Sequence, residues 1–282
     1  MSDVDGGAFG VADGVGGWQE NGINPADYSK TLMQTARNVL EGSIDISSSL
    51  SSDNSEHSSS VLASLDSGDA DPSMLSRCVR TALAVAHTTT RLPGSSTACI
   101  VRLDRAEGVL RVVNLGDSGF ILIRNGTVVF KTRALEHFFD CPYQLGSFPD
   151  YTDATDTVDD AEVHDVPVMP GDVIVAGSDG LWDNCYEHEM MPLLPTSSGE
   201  VQDAATRIAA VARANAEDPQ YESPYTREAL NEGLDLPPWE KLFKSSIKDG
   251  KFVLGKLQGG KQDDITVLVA YVNADDAEES AL

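Results

Sequence analysis

Positive charge is scarce in this chain. Lys and Arg number 20 against 45 Asp and Glu in 282 residues, a formal charge of −25 with a pI near 4.3. A protein that works by neutralising nucleic-acid phosphates is thereby ruled out. Long apolar runs are also missing: residues 265–269, interrupted by Thr266, are typical, far below the roughly 18 residues needed to cross a bilayer. No membrane span is expected. Cysteine is sparse and scattered, at Cys78, Cys99, Cys141 and Cys185. No Cys-x-x-Cys pair suggests zinc or a redox centre, and the four read as reduced core thiols. The first seven residues hold neither a basic nor an apolar stretch, so no signal or transit peptide is expected and the location reads as intracellular.

What is present is enough apolar material, 41% hydrophobic against 23% charged, for a globular fold. No internal repeat is evident, and residues 1–282 read as one domain. Helical signals open at Asn24-Pro25-Ala26-Asp27, where Asn caps, Pro suits the first turn and the acid meets the positive helix end. Tyr28, Leu32, Ala36, Val39 and Leu40 then recur at helical spacing. A second start at Asp71-Pro72 leads Leu75, Cys78, Val79, Ala82, Val85 and Ala86 onto one face. Between the two, residues 43–60 hold ten serines in eighteen positions, so 43–70 reads as a disordered insertion.

From Thr97 the period shortens. Residues 97–101, 109–115, 120–124 and 127–131 read as strands, with Asn125-Gly126 as a two-residue hairpin turn. Further strands are expected at 172–176 and 265–272, and a helix at 201–216. Strands in runs and helices in runs give an α+β class. Residues 219–262 read as a loop-rich excursion, with Pro237-Pro238-Trp239 as a loop anchored by a buried Trp. Residues 150–165, with seven acids in sixteen positions, read as a surface loop, and 274–282 as an acidic tail.

The chemistry-bearing residues are aspartates beside glycine at predicted strand ends: Asp13-Gly14, Gly116-Asp117, Asp179-Gly180 and the pair Asp263-Asp264. Carboxylates at such exits can converge, and an oxygen-only set suits Mg2+, Mn2+ or Ca2+ rather than zinc. Each pair alone is also ordinary turn chemistry.

In order, Ala12-Asp13-Gly14-Val15-Gly16-Gly17-Trp18, Gly94-Ser95-Ser96-Thr97-Ala98, Asn114-Leu115-Gly116-Asp117-Ser118-Gly119, Gly177-Ser178-Asp179-Gly180-Leu181-Trp182-Asp183-Asn184 and Asp263-Asp264-Ile265-Thr266 resemble the successive motifs of metal-dependent type 2C Ser/Thr protein phosphatases. Trp18, Phe120 and residues 137–145 are similar to the mitochondrial branch of that family. The resemblance implies a sandwich of two antiparallel sheets flanked by helix pairs, a site for two Mn2+ or Mg2+ ions, and a phosphoprotein substrate. Asp13 would bridge both metals, the Gly14 carbonyl would bind one, and Asp179 and Asp263 the other. Asp117 and Asp183 match family positions for a third, weakly held metal. No covalent phosphoenzyme is required, and the protein is expected to be a monomer.

Two departures stand beside the resemblance. Family members usually open with an earlier strand carrying an acidic pair, whereas few residues precede Asp13 here, and Asp3 and Asp5 sit among glycines. An inactive docking module of the same fold is therefore the alternative. Val15 stands where many members have a His. The remaining candidates place His57 in the Ser tract, His87 on a helix, and His137, His164 and His188 in loops.

Overall fold

The computed structural model describes residues 7–44, 78–147, 156–243, 245–248, 251–253 and 255–274. The Ser-rich insertion beyond Ile44, the helix start at Asp71-Pro72, Asp3 and Asp5, His57 and the acidic tail beyond Ala274 lie outside the described residues. Two compact units are present, 1–176 with 272–282, and 177–271.

The first unit carries an antiparallel sheet in the order β1 (Ala8–Val11), β3 (Ala98–Asp104), β4 (Val109–Leu115), β10 (Glu162–Pro167). Its register aligns Phe9 with Val101, Ile100 with Val113, and Val112 with His164. Three strands of a second sheet follow in the order β11 (Val173–Gly177), β5 (Gly119–Arg124), β6 (Thr127–Lys131). Asn125 and Gly126 join β5 to β6 with φ of 51° and 74°. Both central residues need positive φ in the hairpin turn whose twist matches its strands, and Asn-Gly tolerates it best. Short strands β2 (Gly94–Ser96) and β9 (Leu145–Ser147) pair with each other.

Helix α1 (Pro25–Leu40) starts as its sequence dictates: the Asn24 side chain accepts the Ala26 N–H at 3.2 Å, with Pro25 in the first turn. It packs on α2 (Val79–Thr89) and on β2, while α2 lies against β3 and β4 of the first sheet. Tyr28, Leu32, Ala36 and Val39 meet Ala82, Leu83, Val85 and Ala86 over Ile100, Val113 and Leu115, all fully buried. Each large side chain removed from water here contributes about 1.5–3 kcal/mol, which fixes the helix pair on the sheet.

The second unit holds α3 (Asp179–Trp182), α4 (Glu187–Met190), α5 (Val201–Glu217), α6 (Pro224–Asn231), α7 (Pro238–Phe243), the hairpin strands β12 (Ser246–Lys248) and β13 (Lys251–Val253), and β14 (Val267–Tyr271). Helix α5 buries Ala204, Ile208, Ala212 and Ala216 at every fourth position and packs on β14.

Several expectations are corrected. Residues 162–165 belong to β10, where Val163 and Asp165 alternate with His164 against β4; their acids had masked a period-2 pattern. Residues 219–262 carry two helices and a hairpin, α6 being started by Ser223, whose hydroxyl accepts the Thr226 N–H at 3.1 Å. Trp239 lies in α7 and is 61% exposed, so it is not the buried anchor expected of it. His137, His164 and His188 sit in β7 (Glu136–Phe138), β10 and α4 rather than in loops. Only Cys99 and Cys185 are buried thiols, whereas Cys78 is exposed and Cys141 half-buried.

Candidate metal centre

In the first unit the segment after β1 is held by backbone and hydroxyl groups. The Asp13 N–H donates to Thr97 Oγ1 at 3.0 Å, and the Asp13 carbonyl accepts the Thr97 N–H at 2.9 Å. Gly14 bridges to Ser96, and the Val15 N–H donates to the Ser95 carbonyl at 3.0 Å. Thr97 Oγ1 is itself 2.8 Å from Ser118 Oγ, both residues buried, so the hydroxyl following Asp117 braces the hydroxyl that braces Asp13. Trp18 Nε1 donates to Ser95 Oγ at 2.7 Å, and Ser95 Oγ donates to Gln144 Oε1 at 2.5 Å. Asp13 and Asp117 are both half-buried.

The second unit opens at Gly177, the last residue of β11, and the chain turns through Ser178 into α3. Ser178 Oγ donates to the Asp264 carbonyl at 2.9 Å and accepts the Thr266 N–H at 3.1 Å, tying this turn to the segment before β14. A Cβ on Gly180 would lie 2.4 Å from the Asp264 carbonyl oxygen. Only glycine permits that approach, which sets Asp179 beside Asp263.

Asp179, Asp183 and Asp263 share one cation. Lys261 Nζ lies 2.6 Å from Asp179 Oδ2, 2.9 Å from Asp183 Oδ2 and 3.5 Å from Asp263 Oδ2. Desolvation raises the Asp263 carboxyl above the usual carboxylate range, and the Asp179 charge raises it further, against the opposing pull of Lys261 and the Asp264 N–H. Three carboxylates around one ammonium leave an excess of negative charge, and oxygen-only donors are the set hard divalent cations take. The residues therefore fit Mn2+ or Mg2+.

Buried Asn184 completes this half. Its side chain accepts the Lys261 N–H at 2.8 Å, and donates to the carbonyls of Lys261 at 2.8 Å and Gly180 at 3.0 Å. Sequence reasoning assigned no role to Lys261, Asn184, Thr97 or Ser118. The last three lie inside quoted motifs, and Lys261 two positions before Asp263 was the available signal. The described histidines are engaged elsewhere: His87 with the Tyr28 hydroxyl, His137 with Asp156, His164 with Glu162, and His188 stacked on Tyr186. Burial pushes the Cys99 thiol up to about 12, and the Cys185 thiol, beside Glu189, likewise to about 12. Neither is a nucleophile at neutral pH.

Residues 8–238 match the family described as Stage II sporulation protein E. A curated rice relative (Oryza sativa subsp. japonica), "Probable protein phosphatase 2C 1", is 39% identical over 96% of this chain and 68% of its own length. The chain belongs to the protein phosphatase 2C family. The "Protein phosphatase PTC7 homolog" of Homo sapiens is 34% identical over 94% of this chain and 74% of its own. A solved structure titled "X-ray structure of the photosystem II phosphatase PBCP" superposes with a TM-score of 0.73 at 36% identity, over 95% of this chain and 88% of that one. The antiparallel sheets and helices described above are thus the 2C phosphatase fold.

Proposed function

We propose that this chain hydrolyses phosphoserine and phosphothreonine in proteins at a two-metal centre held by Asp13, Asp179 and Asp263, with the Gly14 carbonyl as a further ligand and Asp117 and Asp183 available to a third ion. Metal-dependent Ser/Thr dephosphorylation follows from family membership across nearly the whole chain. The observation that supports the assignment of Asp179, Asp183 and Asp263 is that they are drawn together around a single cation, and Asp13, Gly14 and Asp117 join them through motifs whose order matches the family.

When bound, divalent cations there would polarise phosphoryl oxygens, acidify a water and reverse a local charge that repels a phosphate dianion. The protein's own groups prepare that state. The Asp13 backbone is pinned on both sides by Thr97, so its side chain leaves a fixed point. The Gly180 N–H donates to Asp179 Oδ1 at 2.7 Å, leaving Oδ2 for a cation. Asp263 Oδ1 similarly accepts the Asp264 N–H at 2.8 Å. One oxygen of each carboxylate is thus spent on orientation and the other on charge.

Manganese-dependent phosphate release from a phosphothreonine peptide tests the reading, with Asp179→Asn alongside. Wild-type turnover that needs metal and is lost in the variant supports it. Folded wild type and variant that are equally inert would leave the docking module instead. The finer compartment follows the branch resemblance: the full natural protein, fluorescently tagged, is expected in mitochondria, and any other compartment contradicts that assignment.

A further inference from the structure

Lys261 is held from three directions. Asn184 bonds both its N–H and its carbonyl, so the side chain starts from a fixed backbone. The Tyr225 ring lies 5.2 Å from Nζ and covers one flank. The Lys261 side chain is 18% exposed, and its ammonium reaches Asp179, Asp183 and Asp263. An ammonium desolvated to this degree, between carboxylates that fit a metal, occupies charge that a divalent cation would otherwise take.

We propose that Lys261 is a built-in counter-ion of the metal centre: it gathers Asp179, Asp183 and Asp263 in the metal-free protein and lowers metal affinity by competing for their oxygens. The inference rests on the metal-dependent reading above. Without the ammonium three carboxylates would repel one another at short range, and the Gly177-to-Asp183 turn would keep its Ser178 bonds to the segment before β14 but lose the ionic tie. With it, the metal-free state keeps its geometry. The same charge opposes an arriving divalent cation, because like charges at contact distance repel and the 2.6 Å bond to Asp179 Oδ2 must lengthen as metal takes that oxygen. Lys261 is therefore a positioning residue whose two effects have opposite signs, support without metal and resistance to metal.

The opposite signs make the idea testable apart from turnover. Lys261→Met keeps the stem and removes the charge, whereas Lys261→Arg keeps the charge. Calorimetric titration of the full chain with Mn2+ is expected to give Lys261→Met a dissociation constant about tenfold lower than wild type, while Lys261→Arg stays within about threefold. In chelator, Lys261→Met is expected to melt below wild type, and saturating Mn2+ is expected to close that gap. Unchanged or weaker Mn2+ binding by a folded Lys261→Met overturns the proposal, since a simple structural tie would splay the ligands and weaken binding. Lys261→Gln repeats the measurement if Lys261→Met does not fold. Wild type that takes up no Mn2+ at all overturns the metal-dependent reading and this proposal with it, whereas uptake that ignores Lys261 overturns this proposal alone.

Discussion

Thr97→Val isolates the contact that holds Asp13. Val has the shape of Thr without its hydroxyl, so packing at this 2% exposed position is preserved. Two bonds go: the Asp13 N–H loses its acceptor at 3.0 Å, and Ser118 Oγ loses its partner at 2.8 Å. A donor left unsatisfied away from water costs about 1–3 kcal/mol. Taking about 2 kcal/mol, and about 2–4 °C of Tm per kcal/mol for a chain of this size, the melting temperature falls by about 4–8 °C. The loop carrying Asp13 also loosens, and partners that orient metal ligands typically cost 10–100-fold in affinity or activity, so half-maximal activation is expected to need at least about tenfold more Mn2+. Thr97→Ser restores both. Because Thr97 and Ser118 share one bond, Thr97→Val with Ser118→Ala costs less than the sum of the singles by about 0.5–1.5 kcal/mol. Thermal melts and Mn2+ activation curves on wild type, the three single variants and the double variant check this. A Thr97→Val protein that melts and activates like wild type would refute the bracing role.

Other perturbations reach different parts of the fold. Gly180→Ala forces a Cβ to within 2.4 Å of the Asp264 carbonyl; a loss of about 1–3 kcal/mol with weakened Mn2+ binding is expected from chemical denaturation and calorimetry. Arg124 donates to both oxygens of buried Asp172, at 2.8 and 2.7 Å. Burial pushes the Asp172 carboxyl up, but the Arg124 bonds and the Met169 N–H outweigh it and hold it below the usual range. A depressed carboxyl stabilises above the unfolded pKa of about 3.9 and loses that contribution as pH falls through the folded value. Arg124→Met should therefore melt well below wild type at pH 7, and the gap should narrow below pH 4; a gap independent of pH would contradict the assignment.

Most of the scaffold was legible because its signals are local. The Asn24 cap, the apolar residues four apart in α1 and the Asn125-Gly126 turn each act within a few residues, and those elements fall where periodicity puts them. Strand β10 was missed because its alternation is carried by acids and a His, and its inward face is dictated by pairing with β4 rather than by hydrophobicity. Helices α6 and α7 were missed for a related reason: they are too short for a periodic stripe, and only the Ser223-Pro224 start marks α6. At the site, aspartates beside glycine at strand ends were visible, since the glycine requirement is itself a local steric fact. Lys261 was not, because what gives it a role is tertiary: Asn184 grips its backbone, and Asp179 and Asp183 meet its ammonium from a distant part of the chain.

Anomalous scattering from crystals soaked in Mn2+ addresses the proposed centre most directly. Two manganese peaks about 3.5–4 Å apart, bridged by Asp13 and flanked by Asp179 and Asp263, are the predicted result. Manganese bound elsewhere, or no peak beside these carboxylates in a protein that still hydrolyses the phosphopeptide, would contradict it.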